Sequence, residues 1–493
     1  MRTATEYHDL TSYRRDRMSG HYMDLGNQPD VFKRYPGIEP IPLPGDAELP
    51  TPRLSSLLRK GDRPGSPTHL GIDDLSRIFI LAYSLTARAG HGSGDFFFRN
   101  AASAGALYPT EMYASACGIE GLEDGLYHFS IADQGLSPLR KGTAKPARSP
   151  ALTFYLTAIF FRSAWKYRDR SYRYHLLDTG HVIENLTLAL KAMNLPFSLA
   201  YDFDDKTVNA FLGLDEVREA TLAVCRMPGG IVADDPGLPG SFGNLPDNCT
   251  AASRVSARET AYPPILDIHD AGARILPAKG TPADMAAELG IDPENRDPID
   301  ARRRWPETMT CPEALSQRRS SRNFIPQPIS GDAAAAFMHG LCIEDSTPSE
   351  PVAGLRHCLG TGLLVGGVDG MAPGLYLLDP ASLSSGLAVA GLFMDRMADI
   401  CLNQGWLKNA GVHVLFMANL ALIDRYWGAR GYRYAMLNAG RLGQRLYLQA
   451  TAMGLGCCGI GALYDEEAAD LLGLNPTSRL LYLVGIGGVK GKI

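Results

Sequence analysis

Two stretches of this chain repeat one another at a constant spacing of 260 residues. Tyr172-Arg-Tyr174 reappears as Tyr432-Arg-Tyr434. The same offset relates a longer set of positions: Leu177 and Leu437, Gly180 and Gly440, Leu186 and Leu446, Met193 and Met453, Leu195 and Leu455, and Leu212-Gly-Leu214 and Leu472-Gly-Leu474. Chance does not hold one offset through so many identities, and the period is too long for a solenoid. The chain is therefore a tandem duplication.

Each Tyr-Arg-Tyr opens a segment with helical periodicity. Apolar residues recur at spacings of three, four and seven after Tyr174, as an amphipathic core helix requires. The second copy repeats the pattern up to Gly454, which suits a helix C-cap. Two blocks built on such a helix indicate an intramolecular pseudo-dimer, in which one chain does what two subunits do elsewhere.

Breaker-rich stretches divide the chain of 493 residues. Pro, Gly and Asp cluster between residues 228 and 247, and a charged stretch follows to about residue 310. We predict an N-terminal extension over 1–53, a first domain over 54–227, a linker over 228–310 and a second domain over 311–493. The polar, proline-rich extension is expected to lie over the core with little helix of its own.

Composition excludes several classes of protein. The balance of 45% hydrophobic and 20% charged residues is globular, and a net charge of −5 gives no reason to expect nucleic acid or a membrane as partner. Nine cysteines, an odd number in so long a chain, do not indicate a disulfide framework. The apolar runs are too short to span a bilayer, and no signal peptide opens the sequence. We therefore expect a cytoplasmic protein.

The segment Ser103-Ala-Gly-Ala-Leu-Tyr-Pro109 combines small residues with a Tyr-Pro pair ahead of a β-prone run. A backbone with so little side-chain bulk can lie flat against a planar ligand, although an ordinary turn entering a strand has the same composition. The segment closely resembles the signature of the SagB/ThcOx-type dehydrogenases, a branch of the FMN-dependent nitroreductase superfamily. The resemblance implies that the following residues border a flavin: Ser103, Ala104, Gly105, Ala106, Leu107, Tyr108 and Pro109.

The resemblance also implies a fold. Nitroreductases are α+β homodimers with their flavins in the subunit interface. We therefore expect two tandem nitroreductase-like domains, each with an antiparallel-type sheet flanked by helices and a long central helix. The duplication then corresponds to a fused form of that dimer, and further homo-oligomerisation stays open.

A basic cluster opens the second block and consists of Arg318, Arg319, Ser320 and Arg322. Guanidinium and hydroxyl groups at this density suit a phosphate clamp, with a solvated basic patch as the alternative. The cluster resembles the start of nitroreductases, whose residues hold the FMN phosphate and ribityl chain. Lys490 and Lys492 resemble the basic tail that completes this phosphate site, with a frayed terminus as the alternative. The matching place in the first block, residues 57–63, lacks the serines.

The segment Gly454-Leu-Gly-Cys-Cys-Gly459 fits the letters of a dinucleotide fingerprint. A Rossmann turn must follow a strand, whereas this segment follows a predicted helix, so we reject that interpretation. The segment resembles instead the part of nitroreductases that passes the flavin ring, where backbone N–H groups address the ring edge. The residues implied are Cys458, Gly459, Ile460 and Gly461.

Lys166-Tyr167 follows Trp165 and resembles the Trp-Lys-Tyr of SagB-type enzymes, where the Lys-Tyr pair is implicated in proton handling during azoline oxidation. Lys and Tyr can act as general base and acid if burial lowers the Lys pKa, and an exposed, inert Lys is the alternative. No metal site is expected, because His175 and His181 do not share a helix face.

The two blocks have lost different motifs. The second keeps the basic cluster and the glycine-rich segment, and the first keeps the Ser103–Pro109 loop and Lys166-Tyr167. At the place of that loop the second block has residues 360–367, without Tyr-Pro. In nitroreductase homodimers the loop and the clamp come from different subunits. The resemblance thus implies one composite FMN site per chain.

The function implied is that of a SagB-type dehydrogenase, which oxidises azoline or peptide-derived substrates in natural-product maturation. One alternative is a reductase of nitroaromatics or quinones with NAD(P)H as electron donor. A second alternative is a flavin-binding protein without turnover.

Overall fold

The computed structural model of the chain describes residues 3–18, 20, 23–59, 67, 69–91, 94–142, 150–227, 243–276, 282–300, 309–343, 348–350 and 357–491. Within these ranges, no helix is long and apolar enough to cross a membrane. All nine cysteines lie in these ranges, where they are buried and form no disulfide.

Both halves contain helices and runs of consecutive strands. The helices of the described ranges are α1 (Ala4–Leu10), α2 (Leu54–Arg59), α3 (Ile72–Ala82), α4 (Phe160–Tyr167), α5 (Ser171–Ala192), α6 (Asp205–Leu212), α7 (Pro263–Ala273), α8 (Cys311–Gln317), α9 (Gly331–Cys342), α10 (Met394–Ile400), α11 (Leu420–Trp427), α12 (Arg430–Ala452) and α13 (Asp465–Leu472). The strands are β1 (Ile41–Pro42), β2 (Leu85–His91), β3 (Gly94–Arg99), β4 (Thr110–Cys117), β5 (Gly125–Ser130), β6 (Gly135–Lys141), β7 (Ala151–Ile159), β8 (Ser198–Ala200), β9 (Glu219–Arg226), β10 (Asp297–Pro298), β11 (Ser349–Glu350), β12 (Gly360–Val365), β13 (Gly374–Asp379), β14 (Ser384–Ala390), β15 (Val412–Asn419), β16 (Gly456–Ile460) and β17 (Ser478–Gly487).

The strands form two large sheets and a separate hairpin. The first sheet has the order β1-β6-β5-β4-β7-β9-β8-β11, the second has the order β10-β14-β13-β12-β15-β17-β16, and β2 pairs with β3. Described neighbours are antiparallel except for β8 and β11, which are parallel. Strand β11 belongs to the second half of the chain but extends the first sheet. The predicted α+β architecture with duplicated domains is confirmed.

The duplication is visible element by element. Helices α4 and α11, and likewise α6 and α13, begin and end at positions 260 residues apart. The repeated Leu-Gly-Leu lies at the ends of α6 and α13, where Gly213 and Gly473 adopt left-handed C-cap conformations with φ of 70° and 69°. A left-handed φ strains any residue with a Cβ, which explains why this glycine occurs in both copies.

The central helices α5 and α12 cross at a pair of glycines. A Cβ on Gly180 would lie 2.9 Å from the Cα of Gly440, so the two backbones touch. Both helices are buried on nearly every side, rather than on one face. The reason is that α5 packs on α12, α3 and strand β7 at once.

The Tyr-Arg-Tyr motifs exchange ion pairs between the halves. Arg173 pairs with Asp465, and Arg433 pairs with Asp205, each with N···O of 2.6 Å. Helices α1 and α7 occupy equivalent places around these pairs. The side chain of Arg173 donates to the His8 carbonyl at 2.6 Å, and that of Arg433 donates to the His269 carbonyl at 2.8 Å.

The two segments outside the predicted domains therefore contribute equivalent parts of the fold. Residues 1–53 contain helix α1 as well as strand β1, and residues 228–310 contain helix α7 and strand β10. The domain boundaries themselves stay a prediction.

The predicted match between residues 360–367 and the Ser103–Pro109 loop is wrong. Residues 360–365, matched above with the Ser103–Pro109 loop, form strand β12. This strand pairs with β15 as β4 pairs with β7, so its counterpart is β4, which follows the loop. The second-half segment comparable to the loop precedes Gly360 and lies largely outside the described residues. Unequal loop lengths between the copies produced the mismatch.

Candidate active site

A cavity of about 150 Å³ lies where the two halves meet. The first half contributes Ala102, Ser103, Ala104, Gly105, Tyr167, Tyr174, Leu177, Asp178 and His181. The second half contributes Ser320, Arg322, Gln404, Tyr447, Cys458, Gly459, Ile460, Gly461, Ala462 and Tyr482. Residues from four of the predicted motifs thus line one cavity, although the Ser103–Pro109 loop and the basic cluster lie more than 200 positions apart in the chain.

Asp178 holds the Ser103–Pro109 loop on the cavity wall. Its carboxylate accepts hydrogen bonds from Ser103 Oγ at 2.6 Å and from the Ala104 N–H at 3.1 Å. Ser103 Oγ in turn accepts the Tyr108 N–H at 2.9 Å. Ala106 and Tyr108 have φ of 53° and 48°, values that cost free energy in a residue with a side chain. Such strain persists only where the surroundings impose it.

Only the front of the loop reaches the cavity. Ser103, Ala104 and Gly105 line it, whereas Leu107, Tyr108 and Pro109 are buried behind it and Ala106 lies outside the lining. The back of the loop is fixed by Arg162, which is fully buried and donates to the Tyr108 carbonyl at 2.9 Å.

Lys166 and Tyr167 form the end of α4 beside Gly105. A Cβ on Gly105 would lie 2.9 Å from Tyr167 Oη and 3.2 Å from Lys166 Nζ, so the loop touches both groups. Burial and then the charge of Arg322 lower the pKa of Lys166. Burial raises the pKa of Tyr167 well above its ordinary value. Tyr167 lines the cavity, and half-buried Lys166 lies outside the lining.

The basic cluster divides into two parts. Helix α8 begins with a capping box between Thr310 and Glu313, and the chain leaves the helix at Arg318. Arg318 is buried and donates to the carbonyls of Asn100 and Arg99, each at 2.9 Å. It therefore fixes the strand that leads into the Ser103–Pro109 loop. Its Nη1 has no hydrogen-bond partner among the described residues.

The remaining members of the cluster point different ways. Arg319 donates to the Ser316 carbonyl at 2.9 Å and does not line the cavity. Ser320 and Arg322 line the cavity and are exposed at its mouth. Of the four residues of the basic cluster, Ser320 and Arg322 are those that a ligand in the cavity can reach directly.

The glycine-rich segment forms edge strand β16 and its continuation. A Cβ on Gly461 would lie 2.6 Å from the Tyr174 ring, and a Cβ on Gly459 would overlap the Tyr482 hydroxyl. Only glycine permits these approaches. The Gly459 N–H donates to Tyr447 Oη at 2.7 Å, so this N–H group is engaged within the protein. Cys458 lines the cavity, and burial raises the pKa of its thiol.

Lys490, one of the two predicted C-terminal lysines, is held at its backbone and has an exposed side chain. The backbone of Lys490 is held by Asn323, whose Nδ2 donates to the Lys490 carbonyl at 3.1 Å. Its side chain is exposed and does not line the cavity. Lys492 lies outside the described residues.

Sequence reasoning missed the helical wall of the cavity. Asp178 and His181 lie one turn apart on α5 and both face the cavity. Burial raises the pKa of Asp178 to about 7, against the hydrogen bonds from Ser103 and Ala104. Burial lowers the pKa of His181 to about 4. The signal was present as the spacing of Tyr174, Asp178 and His181, which places the three on one side of a helix.

The positions related to this wall by 260 residues carry different chemistry. Asn438 stands for Asp178, Arg441 for His181 and Tyr201 for Gly461. Arg441 is paired with Glu184 at 3.1 Å, and Arg445 is paired with the same carboxylate at 2.5 Å. A buried ion-pair cluster and a tyrosine thus occupy the related place.

Comparison with known proteins identifies the family. The model of the nitroreductase family matches residues 46–229 and 375–488. The chain belongs to the nitroreductase family. The two matched segments fall in the two halves of the duplication, as the sequence analysis predicted.

Individual relatives of this nitroreductase-family chain match it in part. MJ1384 of Methanocaldococcus jannaschii, which is named as a nitroreductase, is 28% identical over 182 residues, covering 36% of this chain and 92% of that protein. The trifolitoxin-processing protein TfxB of Rhizobium leguminosarum bv. trifolii is 29% identical over 174 residues, covering 32% of this chain and 47% of TfxB.

One solved structure matches the whole nitroreductase-family chain. It is a crystal structure from Anabaena variabilis, titled as a nitroreductase, with a TM-score of 0.76 and 24% identity. The match covers 99% of this chain and 100% of that one. At this identity the comparison establishes a shared fold.

Proposed function

We propose that this protein is an FMN-dependent oxidoreductase of SagB type, which dehydrogenates azoline or peptide-derived substrates at one composite site per chain. The observation that carries the proposal is the single cavity lined by the Ser103 loop and Tyr167 from the first half and by Arg322 and Gly461 from the second.

The residues around the cavity fit an FMN. Arg322 and Ser320 supply cationic and hydroxyl donors for a phosphate at the cavity mouth. Gly105, Gly459 and Gly461 line the cavity without side chains, so backbone forms this part of its wall and a ring could lie against it. When bound, FMN supplies the hydride chemistry, and the protein binds and orients it.

Lys166 and Tyr167 are the proposed proton-handling pair. The lowered pKa of Lys166 makes its neutral amine more available as a base near neutral pH. The raised pKa of Tyr167 keeps its hydroxyl protonated and able to donate a hydrogen bond. Both groups contact Gly105, so a substrate above the loop would lie within their reach.

The substrate class is supported by a relative and by the Lys-Tyr pair. TfxB is named for processing trifolitoxin, and SagB-type enzymes carry the Trp-Lys-Tyr that occurs here at Trp165 to Tyr167. The nitroreductase name of MJ1384 favours the second candidate function, reduction of nitroaromatics or quinones with NAD(P)H.

Flavin stoichiometry and turnover test the proposal. Reconstituted protein should bind one FMN per chain, measured by absorbance after denaturation; two or none contradicts a single composite site. Anaerobic bleaching by an azoline peptide, but not by NAD(P)H, is expected for the dehydrogenase. Bleaching by NAD(P)H alone would establish the reductase, and no bleaching by either would leave a flavin-binding protein without turnover.

A further pair of variants assigns the base. Lys166→Ala should lower turnover at least tenfold with FMN still bound, whereas Lys141→Ala, at an exposed lysine, should leave turnover unchanged. Equal turnover in the two variants would remove the role proposed for Lys166.

A further inference from the structure

Asp178 is a buried carboxyl group on the cavity wall. Its side chain is 5% exposed, and no cationic side chain of the described ranges forms an ion pair with it. Within the described ranges, its carboxylate accepts hydrogen bonds from two donors, the Ser103 hydroxyl and the Ala104 N–H. An asparagine oxygen could accept both bonds without the cost of a buried charge. An ionisable group retained at such a cost is typical of functional sites.

A proton on Asp178 would change the hydrogen bonding of the Ser103 hydroxyl. A serine hydroxyl has one hydrogen and two acceptor lone pairs. With ionised Asp178, the hydrogen is donated to the carboxylate at 2.6 Å, while Oγ accepts the Tyr108 N–H at 2.9 Å. With protonated Asp178, the new O–H has one acceptor beside it, Ser103 Oγ. Both lone pairs of Oγ are then occupied, and the serine hydrogen must turn elsewhere.

The free direction for that hydrogen is the cavity, because Ser103 lines it. We propose that Asp178 and Ser103 form a proton-controlled donor switch, in which uptake of one proton by Asp178 redirects the Ser103 hydroxyl from the carboxylate to the ligand. The step moves one proton onto the Asp178 carboxylate and breaks no covalent bond. Asp178 is thus a positioning residue that acts through Ser103. The identity of the ligand as FMN rests on the proposed function.

The other groups facing Asp178 do not change charge in the same pH range. Burial keeps Tyr167, Tyr174, Tyr447 and Tyr482 protonated by raising their pKa values, and raises that of the Cys458 thiol as well. His181 is neutral above about pH 4. Arg322 contributes a cation at the mouth. The pKa of Asp178, about 7, lies above that of His181 and below the raised pKa values of the tyrosines and the cysteine. Lys166, whose pKa is lowered by burial and Arg322, is the neighbour that a test must separate.

Infrared titration of the full chain without flavin tests the proton itself. We expect a carboxylic C=O stretch that appears as pH falls through about 7 and is absent in Asp178→Asn but present in Lys166→Ala. Ser103→Ala should keep this band, because it removes the responding hydroxyl and not the titrating group. A carboxylate ionised throughout pH 5 to 9 in the wild type would overturn the switch, whether or not the protein binds FMN.

FMN titration between pH 6 and 8 tests the response. Wild-type affinity should change roughly three- to tenfold across this range, the size of one hydrogen bond. Asp178→Asn has no titrating group at this position, so its affinity for FMN should not change across this pH range. Ser103→Ala should also lose the pH dependence, and Glu123→Gln, at an exposed carboxylate, should keep it.

The possible results separate the two proposals. Persistence of the pH dependence in both Asp178→Asn and Ser103→Ala would overturn the switch and leave the FMN site intact. Absence of FMN binding with a normal infrared titration would overturn the proposed function and the ligand named here.

Discussion

Arg173 Nη1 lies 2.6 Å from Asp465 Oδ1, and both side chains are about 1% exposed although they come from opposite halves of the chain. The same exchange occurs in the other direction between Arg433 and Asp205. Within the described ranges, each half therefore contains a buried guanidinium whose charge is balanced by a carboxylate of the other half. This reciprocity explains why the Tyr-Arg-Tyr motif survives in both copies while the site motifs do not.

Removing one of these carboxylates should lower the stability of the folded chain strongly. Asp465→Asn leaves Arg170 and Arg173 buried without a counter-charge, and we expect a loss of about 3–5 kcal/mol in the free energy of unfolding at pH 7. Chemical denaturation measures it. The neighbouring Glu466→Gln breaks only an exposed pair with Arg14 and should cost less than about 1 kcal/mol. Similar losses in the two variants would contradict the importance assigned to the buried pair.

The ion pairs of Asp465 with Arg170 and Arg173 should contribute a part of the stability that is lost in acid. Burial opposes ionisation of Asp465, but Arg170 and Arg173 hold its pKa well below its usual range. The stabilisation is therefore present above the unfolded-state pKa near 4 and is lost as pH falls below it. Wild type and Asp465→Asn should converge in stability toward low pH, and a constant difference from pH 7 to pH 2 would disprove this.

A methyl group at the helix crossing should force α5 and α12 apart. Gly180→Ala would place a Cβ 2.9 Å from the Cα of Gly440. We expect the free energy of unfolding, measured by denaturant unfolding, to fall by about 1–3 kcal/mol. Gly90→Ala is the control, because nothing lies within 4 Å of a Cβ there. An unchanged midpoint for Gly180→Ala would show that the helices can separate without cost.

Gly105 combines a left-handed backbone with contact to the Lys-Tyr pair. Gly105→Ala should strain φ by about 1–2 kcal/mol and push Tyr167 Oη and Lys166 Nζ away. Gly37→Ala is a matched control, since φ there is also positive, at +79°, with nothing within 4 Å. Both should lower thermal stability slightly, but only Gly105→Ala should weaken FMN binding, by at least tenfold in a fluorescence titration. Equal binding would place the flavin elsewhere.

Asp178 should make the protein less stable as pH rises. Its pKa is about 7 in the folded state against 3.8 as the ordinary value. The folded state thus holds a proton that the unfolded state releases, so stability is fully present below about pH 4 and falls as pH rises to 7. Asp178→Asn should remove up to about 4 kcal/mol of this decline, seen in unfolding curves between pH 4 and 8. Glu123→Gln should retain the full decline; an equal effect of both substitutions would argue against burial at Asp178.

Much of the fold could be predicted because the duplication leaves a direct trace in the sequence. The constant offset of 260 marks elements whose lengths cannot change, such as α6 with its C-cap Gly213 and α13 with Gly473. Loops escape this constraint, which is why residues 360–365 were matched with a loop although they form β12. The helix α7, within the predicted linker, was missed because its partners lie in other parts of the chain.

The candidate site could likewise be predicted only in part from the sequence. The sequence alone indicated the family, the Ser103–Pro109 loop, the Lys166-Tyr167 pair and the basic cluster, because each motif is local and keeps its residue order. Only the tertiary structure decided which side chains reach the cavity, since the direction of a side chain depends on what packs behind it. Arg318 turns inward to carbonyls of the other half, whereas Asp178, in no recognised motif, faces the cavity from α5.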